Sequence, residues 1–343
     1  MNSFGRIFRI SIFGESHGES VGIVIDGCPA GLPLTIADFL PDLEKRKGGK
    51  QKGTTPRQEE DMPIIKSGLF NDFTTGAPIT ILFENKNTRS SDYERQREFP
   101  RPGHADFVAR HKFGGFEDYR GSGHFSGRLT VALVAAGVIA KMLLRSHPKP
   151  LSEGEGLSGV QITATILEIG GEKDLEEGLQ KAIDNKDSVG GIIECRVSGL
   201  PHGLGEPFFD SVESVLGHLV LAIPAVRGIE FGTGFAAARM FGSQHNDAIE
   251  NMEGKTMTNH AGGVVGGITN GNDLVYRIAI KPTSSTPKDQ TTLNWETQQI
   301  ETVSIKGRHD LCIALRVPVI LEAVTAIVLA DFMLLEQKIK RIL

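Results

Sequence analysis

Cysteine is scarce in this sequence. Among its 343 residues there are only three cysteines, Cys28, Cys195 and Cys312, which lie far apart and form none of the paired spacings of a disulfide framework or a zinc ribbon. This excludes a disulfide-rich secreted domain, and no other ligand spacing indicates a metal site. We therefore predict a cytoplasmic protein without a bound metal ion.

Positive charge is also in short supply. The 37 lysines and arginines are outnumbered by 42 acidic residues, which gives a formal net charge of −5. Nucleic acid and anionic membranes are bound mainly by a basic excess, so we expect neither as a partner. Arg6 and Arg9 interrupt the N-terminal apolar stretch, so that it does not read as a secretory leader. No segment approaches about 18 uncharged apolar residues, the length typical of a transmembrane helix.

Glycine, in contrast, is abundant, with 41 residues, many of them in doublets or in patterns such as GSG and GTG. Glycine allows the backbone to turn sharply or to approach a ligand closely. Hydrophobic residues make up 39% and charged residues 23% of the chain, which is typical of a globular protein.

Two hydrophobic periodicities occur along the chain. Alternating β-branched runs predict strands, and apolar residues three and four positions apart predict helices. The predicted strands are Arg6–Phe13, Val21–Asp26, Pro78–Glu84, Gly191–Ser198 and Leu274–Lys281. The predicted helices are Ala37–Lys47, Leu129–Arg145, Leu175–Asp184, Ser211–Leu221 and Leu321–Ile342. This mixture predicts an α+β fold.

One pattern, G-x-P-x-G-L, occurs twice. It lies in VIDGCPAGLPL at Val24–Leu34 and in VSGLPHGLGEP at Val197–Pro207. Each copy follows a predicted strand and precedes a predicted helix, so we predict an internal duplication of a strand–turn–helix unit. The segment Pro148–Gly156, rich in Pro, Gly and acid, is the predicted boundary between two halves of one domain spanning residues 1–343.

The segment Gly14–Gly18 reads GESHG and also fits G-x-S-x-G, the nucleophile elbow of α/β-hydrolases. In that interpretation Ser16 is a nucleophile. The elbow requires a helix after the serine, but the following residues alternate like a strand, which favours a glycine-rich turn. His17 in this turn is a candidate acid–base group, because imidazole changes its protonation near neutral pH.

Two further segments precede predicted helices. RPGHAD at Arg101–Asp106 places His104 near a cation and a carboxylate, and DYRGSGHFSGRLT at Asp118–Thr130 combines glycines with His124 and Arg128. Backbone N–H groups at helix N-termini bind anions, so both segments are candidate phosphate sites. The glycine spacing of the second segment matches neither a Walker loop nor a dinucleotide fingerprint.

Three more segments are rich in cations or hydroxyl groups. KPTSS at Lys281–Ser285 offers an ammonium group and three hydroxyls, KGRHD contributes Arg308 and Asp310, and Lys45–Arg57 contains two arginines and four lysines. In an acidic protein, such local basic groups favour a small phosphorylated or carboxylated ligand.

In this order, GESHGESVGIVIDGCPAGLPL, RPGHAD, NHAGGVVGGITNG, KPTSS and GRHDLCIALRVPVILEA resemble the chorismate synthase family, from Phe13 to the C-terminal helix. The resemblance implies a β-α-β sandwich, a homotetramer and tightly bound reduced FMN. It implies a lyase that forms chorismate by anti-1,4-elimination of phosphate from 5-enolpyruvylshikimate 3-phosphate, without net redox change. NADPH as the electron source for the flavin, and an external flavin reductase, are further partners that the resemblance allows.

The resemblance also implies roles for individual residues. His17 and His104 are implied to donate protons to the leaving phosphate and the flavin, and Asp310 to orient the flavin and assist proton transfer at its N5 atom. The implied substrate-binding residues are Ser16, Arg46, Lys52, Arg101 and Arg128. The implied flavin-binding residues are His124, Phe125, Ser126, Ala225, Gly266, Lys281, Pro282, Thr283, Ser284, Ser285 and Arg308, the last of them close to both ligands.

Some positions depart from the family pattern. The segment HFSGRLT stands where the family resembles R-S-S-A-R-E-T. The departing residues are His124, Phe125, Gly127 and Leu129 in this segment, together with Pro224, where asparagine is frequent, and Lys52, where arginine is frequent. These changes concern flavin binding more than the implied proton donors. A serine hydrolase using Ser16 and a non-catalytic binder of flavin or phosphate are the alternative functions.

Overall fold

The fold was analysed in a computed structural model that describes residues 2–49, 52–57, 59–88, 98–145, 159–305 and 309–337. The helices in these ranges are α1 (Ile36–Arg46), α2 (Asp106–Phe113), α3 (Thr130–Arg145), α4 (Leu175–Asp184), α5 (Val212–Val220), α6 (Gly242–His245) and α7 (Val317–Leu335). The strands are β1 (Ser3–Phe4), β2 (Arg9–Gly14), β3 (Ser20–Asp26), β4 (Ile64–Ser67), β5 (Leu69–Phe70), β6 (Phe73–Thr74), β7 (Ile79–Glu84), β8 (Gln161–Ile169), β9 (Gly191–Ser198), β10 (Val226–Phe231), β11 (Val264–Val265), β12 (Ile268–Thr269), β13 (Leu274–Ile280), β14 (Asp289–Leu293) and β15 (Ile300–Ser304).

Two antiparallel sheets form the outer layers. The first has the strand order β1-β2-β3-β7-β4, and the second has the order β10-β13-β9-β8. In the first sheet Ile23 is paired with Ile12 and Ile81, and in the second Tyr276 is paired with Cys195 and Phe231. The central strands carry apolar side chains that are buried against the helices, as half-buried strands require.

Helices α3 and α7 pack against each other between the sheets. Helix α3 contacts β3 and β7 of the first sheet, and α7 contacts β8 and β9 of the second. A Cβ atom at Gly137 of α3 would lie 2.3 Å from the Cβ atom of Ala323 in α7, so glycine is needed for this close approach. The result is a β-α-β sandwich, which confirms the predicted α+β fold.

Both central helices are apolar on nearly all sides because they are covered on nearly all sides. By length and hydropathy, Gly127–Arg145 and Ile313–Leu335 could each cross a membrane, but 83% and 72% of their most apolar windows are buried inside the protein. They are the core helices of the sandwich.

The ten predicted elements are present; β9 and α4 have the predicted ends, and the other eight differ at one end or both. The predicted strand beginning at Arg6 starts at Arg9, because the backbone N–H groups of Arg6, Ile7 and Phe8 donate to the Asp331 carboxylate instead of to a neighbouring strand. The last helix begins at Val317 rather than Leu321, since a proline is tolerated in the first turn of a helix. Its predicted end at Ile342 lies outside the described residues.

The two sheets share one topology. Without β1, the first sheet has the order β2-β3-β7-β4, which corresponds to β8-β9-β13-β10 in the second. In each half a helix (α1 or α5) precedes the edge strand, a short hairpin (β5–β6 or β11–β12) precedes the central strand, and a long core helix (α3 or α7) closes the unit. The predicted boundary between the halves, Pro148–Gly156, lies outside the described residues and remains a prediction.

The repeated G-x-P-x-G-L turns are alike in detail. The Thr74 hydroxyl accepts a hydrogen bond from the N–H of Leu32 at 2.9 Å and donates to the carbonyl of Pro29 at 2.6 Å. In the second half the Thr269 hydroxyl accepts from Leu204 N–H at 2.9 Å and donates to Pro201 at 2.7 Å. The two glycines of each turn have positive φ, namely 77° and 88° in the first copy and 76° and 83° in the second. These shared contacts agree with the predicted duplication.

Candidate active site

A cavity of about 660 Å³ opens where loops of both halves meet. Its walls come from the turn after β2, the end of α1, the loops before and after α2, the start of β10, the segment after β13 and the start of α7. It brings together the following predicted site residues: Ser16, Arg46, Arg101, His104, His124, Phe125, Ser126, Arg128, Ala225, Lys281, Pro282, Thr283, Ser284, Ser285 and Asp310.

The cavity wall is rich in positive charge, although the whole protein is acidic. Within the described ranges, three acidic residues line it, Glu59, Asp61 and Asp310. The lining lysines and arginines are Arg46, Lys47, Arg57, Arg101, Arg128, Arg227, Lys281 and Arg316. A concave site with this local excess attracts small molecules that carry several negative charges.

Four predicted site residues are not among those that line the cavity. His17 is buried behind Gly121, where an added Cβ would lie 2.3 Å from the Cδ2 atom of His17. Lys52 donates to the Gln180 side chain at 2.7 Å on an exposed part of the surface. Gly266 is exposed in the turn between β11 and β12. The fourth residue, at position 308, lies outside the described residues.

Three residues of the RPGHAD segment, the buried Arg101 and the half-buried His104 and Asp106, form a network at the cavity wall. Asp106 accepts hydrogen bonds from Nε and Nη2 of Arg101, both at 2.8 Å, and its Oδ1 atom lies 2.6 Å from Nδ1 of His104. The pKa of Asp106 is well below its ordinary value, since these bonds outweigh the effect of burial. Burial lowers the pKa of His104, and the charge of Arg101 lowers it further, against the opposing bond to Asp106. At neutral pH a neutral imidazole therefore lies beside an ionised carboxylate.

The KPTSS turn of the second half holds this segment in place. The Nζ atom of Lys281 and the Oγ atom of Ser284 both donate to the carbonyl oxygen of Gly103, each at 2.8 Å. Ser285 accepts from Nη1 of Arg101 at 3.2 Å. Burial and the charge of Arg227 lower the pKa of Lys281. Residues predicted to bind the flavin thus also position the turn that carries His104.

The cavity wall also contains two buried arginines that share one carboxylate. Asp61 accepts from Nη2 of Arg46 at 2.7 Å and from Nη1 of Arg128. Arg128 also donates to the Asn85 side chain at 2.9 Å and to the carbonyl of Glu84 at 3.2 Å. The pKa of Arg46 falls to about 10, chiefly through burial, which leaves the group charged at neutral pH.

Asp310 lies between the halves. Its carboxylate accepts from the backbone N–H of Thr55 at 2.8 Å and from Nη1 of Arg316 at 3.0 Å. Arg316 in turn donates from Nε to the carbonyl of Arg46 at 2.9 Å. The predicted role of Asp310 near the flavin remains a prediction, but its neighbours fix its position in the cavity wall.

The glycine-rich loop has an unusual backbone. Gly121, Ser122 and Gly123 have φ values of 57°, 71° and 49°, a conformation that is costly for the serine. The Ser122 hydroxyl accepts from Nη2 of Arg101 at 3.0 Å. The His124 ring lies 3.1 Å from the carbonyl of Gly14 through Nδ1 and 3.0 Å from the Asn2 side chain through Nε2. The loop thus contacts Asn2, the last residue of β2 and Arg101 of RPGHAD.

The turn Ile223–Val226, which contains Pro224, explains one departure from the family pattern. The N–H of Val226 donates to the carbonyl of Ile223 at 3.2 Å, and Ala225 has a φ of 75°. This is a type II turn, in which proline is favoured at the second position. Proline therefore stabilises the backbone that brings Ala225 to the cavity.

The interpretation of Ser16 as a hydrolase nucleophile is not supported. Its side chain is fully buried, its Oγ atom accepts from Nη1 of Arg57 at 3.2 Å, and strand β3 rather than a helix follows the turn. The elbow geometry requires a helix at that point.

Several residues of the cavity were missed by motif reasoning. Asp61 and Glu59 belong to no motif, and Arg316 lies in the GRHDLCIALRVPVILEA block, in which roles are predicted only for Arg308 and Asp310. Arg57 lies in the basic segment Lys45–Arg57, which is predicted to favour an anionic ligand, but no individual role is predicted for it. Glu59 pairs with Arg57 through a contact of 2.8 Å, so both are ordered by local ion pairing.

The sandwich fold and a cation-rich cavity with a half-buried histidine–carboxylate pair are typical of an enzyme that acts on small anions. The model of the chorismate synthase family matches residues 8–334. A chorismate synthase of Chitinophaga pinensis is 70% identical over 342 residues, covering 100% of this chain and 99% of that protein. One of Methanosarcina barkeri is 42% identical over 351 residues, covering 97% and 96%. A crystal structure of a chorismate synthase has a TM-score of 0.69 at 25% identity and covers 97% of this chain and 93% of that one.

The chain therefore belongs to the chorismate synthase family, as its motifs predicted. The predicted enzyme class, a lyase, is confirmed, and neither the hydrolase nor the non-catalytic alternative is supported.

Proposed function

We propose that this chain converts 5-enolpyruvylshikimate 3-phosphate to chorismate, with reduced FMN as its cofactor, in the biosynthesis of aromatic amino acids. The single observation that carries this proposal is the cavity itself, which combines a half-buried His104–Asp106 pair with a local excess of guanidinium and ammonium groups. The substrate carries one phosphate and two carboxylates, and FMN carries a further phosphate. A cavity that binds this many negatively charged groups needs an excess of guanidinium and ammonium groups.

The cavity residues fit a flavin and a phosphorylated substrate. The Thr283 hydroxyl and the Nε atom of Arg46 are buried and have no hydrogen-bond partner within the described part of the chain. Buried polar atoms of this kind are costly unless a ligand or water satisfies them. When bound, reduced FMN supplies electron density to the substrate ring as phosphate leaves and recovers it afterwards.

The residues of the chain then have distinct tasks. Arg46 and Arg128 bind carboxylate or phosphate, since a guanidinium group can form two parallel hydrogen bonds to either. His104 holds a proton for transfer, and the Asp106 carboxylate fixes the orientation of its ring. His17 serves as a second proton donor next to the glycine loop, and Asp310 orients the flavin. The loops from both halves exclude water from the reacting atoms.

The proposal also covers the oligomeric state of the protein and the source of electrons for the flavin. The family resemblance supports a homotetramer in the cytoplasm, with flavin reduced at the expense of NADPH either by the protein itself or by a separate flavin reductase. Gly266 and Lys52, both exposed, are proposed to contact flavin and substrate respectively, and Arg308 to lie close to both ligands.

The deciding experiment is anaerobic phosphate release from the shikimate ester with reduced FMN, with oxidised FMN and without flavin. We expect release only with reduced FMN, and no stoichiometric oxidation of the flavin, because substrate and product differ only by phosphoric acid. Equal release without flavin, or one flavin oxidised per chorismate, would contradict the proposal. Covalent labelling of Ser16 by a serine-directed phosphonate would instead indicate the hydrolase.

A further inference from the structure

Asp61 is among the most buried charged groups of the cavity wall. Its side chain is 1% exposed, and the arginine side chains on either side of it, those of Arg46 and Arg128, are 3% and 4% exposed. Each oxygen of the carboxylate accepts from a different guanidinium group, Oδ2 from Arg46 and Oδ1 from Arg128. One side chain thus sets the distance between two arginines that come from α1 and from the glycine-rich loop.

The other hydrogen bonds of the two arginines go to uncharged acceptors. Arg46 donates from Nη1 to the Thr130 hydroxyl at 3.3 Å, and its Nε atom has no partner among the described residues. Arg128 donates to the Asn85 side chain and to the carbonyl of Glu84. Charge-assisted bonds to a carboxylate are about twice as strong as neutral bonds. Asp61 is therefore the dominant internal partner of both groups, and it leaves the Nε–H of Arg46 available to a ligand.

The charge of Asp61 also has an electrostatic effect. Burial by itself would raise the pKa of Asp61, but the charges of Arg46 and Arg128 and their hydrogen bonds outweigh it, so the pKa is below its ordinary value and the group is ionised at neutral pH. Without this carboxylate, two buried cations would face each other without compensation, which disfavours the arrangement strongly.

We propose that Asp61 is a positioning residue that holds Arg46 and Arg128 at a fixed separation for the substrate. This inference rests on the proposed function for the identity of the substrate. The fixed positions of Arg46 and Arg128 do not depend on that function and can be measured separately. Asp61 acts through the arginines and is not itself a catalytic residue.

The test compares Asp61→Asn, Asp61→Glu and a matched control, Asp331→Asn. Asparagine retains one acceptor oxygen and tolerates the φ of 51° found at this position, but it can serve only one arginine. Glutamate keeps the charge and both acceptors. Asp331 is likewise buried and accepts three hydrogen bonds, from the N–H groups of residues 6–8, but it does not line the cavity.

Two quantities are measured on folded protein, as judged by circular dichroism. The first is the rate at which phenylglyoxal modifies Arg46 and Arg128, determined by peptide mass spectrometry. The second is the pair kcat and KM for 5-enolpyruvylshikimate 3-phosphate with reduced FMN. In Asp61→Asn we expect at least one arginine to react roughly tenfold faster and kcat/KM to fall roughly 10- to 100-fold, mainly through KM. Asp61→Glu should restore most of both, and Asp331→Asn should lower the melting temperature while changing neither.

The outcomes separate this inference from the function on which it builds. If Asp61→Asn keeps the arginines protected and KM unchanged, the positioning role is wrong. If Asp331→Asn exposes the same arginines to the same extent, the effect is one of general stability and the inference also fails. If the wild type releases no phosphate while arginine protection still depends on Asp61, the positioning role stands and the proposed function falls. If Asp61→Asn does not fold, Asp61→Gly takes its place, because glycine also tolerates the φ of 51° and removes the carboxylate. A loss of arginine protection in that folded variant would support the role, and wild-type behaviour in both measurements would oppose it.

Discussion

The Nδ1 atom of His104 lies 2.6 Å from the Oδ1 atom of Asp106, and the same carboxylate is held by the guanidinium group of Arg101. The carboxylate fixes the imidazole ring, while burial and the nearby arginine keep the pKa of His104 below its ordinary value. The pair is therefore orientated for proton transfer before any ligand arrives, but its histidine is neutral.

This arrangement predicts proton uptake on ligand binding. A phosphate dianion near His104 favours the charged imidazolium and raises its pKa, so binding at a pH of about 6.5 should take up more protons in the wild type than in His104→Gln. Calorimetric titration of the substrate in two buffers of different ionisation enthalpy measures this number. The phosphate titrates in both proteins, so only their difference reports on His104. Equal uptake in the two proteins would mean that His104 does not change its protonation on binding.

Stability should depend on pH through the same residue. Because the pKa of His104 is lowered in the folded protein, the unfolded chain binds a proton first as the pH falls. The contribution of neutral His104 to stability is thus present above a pH of about 6.5 and is lost as the pH falls from there towards the lowered pKa. Melting temperatures from pH 8 to pH 5 should decline more steeply in the wild type than in His104→Gln. Parallel curves would contradict the assigned shift.

Replacement of either predicted proton donor should affect the chemical step. We expect His104→Ala and His17→Ala each to lower kcat by about 10²- to 10⁴-fold, with a smaller change in KM, because acid–base groups act mainly in the transition state. Steady-state phosphate release under anaerobic conditions measures both constants. A variant in which only KM rises would reassign its histidine to substrate binding.

The position of His17 depends on Gly121. A methyl group at Gly121 would lie 2.3 Å from Cδ2 of His17, and the φ of 57° there is unfavourable for alanine. Gly121→Ala should therefore displace the histidine and lower kcat without removing any functional group. The control is Gly217→Ala in α5, where an added Cβ meets no atom within 4 Å and alanine favours the helix. Wild-type kcat in Gly121→Ala would show that His17 does not need its present position.

Thr74 and Thr269 provide a test of the duplication in terms of stability. Each hydroxyl forms the same pair of hydrogen bonds, and both residues are buried. Replacing either by valine removes the hydroxyl and leaves a buried N–H and carbonyl without their partner, at a cost of about 1–3 kcal/mol. The two losses should be similar and should add within about 0.5 kcal/mol in the double variant, since the sites share no partner. Denaturant unfolding measures them, and a loss at only one site would argue against equivalent turns.

Much of the fold could be predicted from local patterns. Most strands and helices with strong alternation or helical periodicity were predicted, because their buried faces require those patterns. The hairpin β14–β15 was not, since DQTTL and IETVS are polar and only partly buried. Strand β8 was also not predicted, although its sequence QITATILEI has the regular alternation of apolar residues that is typical of a strand. The start of β2 was misplaced because the competing partner, Asp331, lies more than 300 residues away.

The sequence by itself determined the family, the α+β class, the repeated turn and fifteen of the residues that line the cavity, because these follow from local periodicity and from short motifs in a fixed order. Only the tertiary structure decided the arrangement of charges: that Asp61 lies between Arg46 and Arg128, that Lys281 holds the turn of His104, and that His17 lies behind Gly121. These contacts join elements that are separated along the chain. Their partners are chosen by the packing of two sheets on a pair of core helices, and no local pattern contains that information.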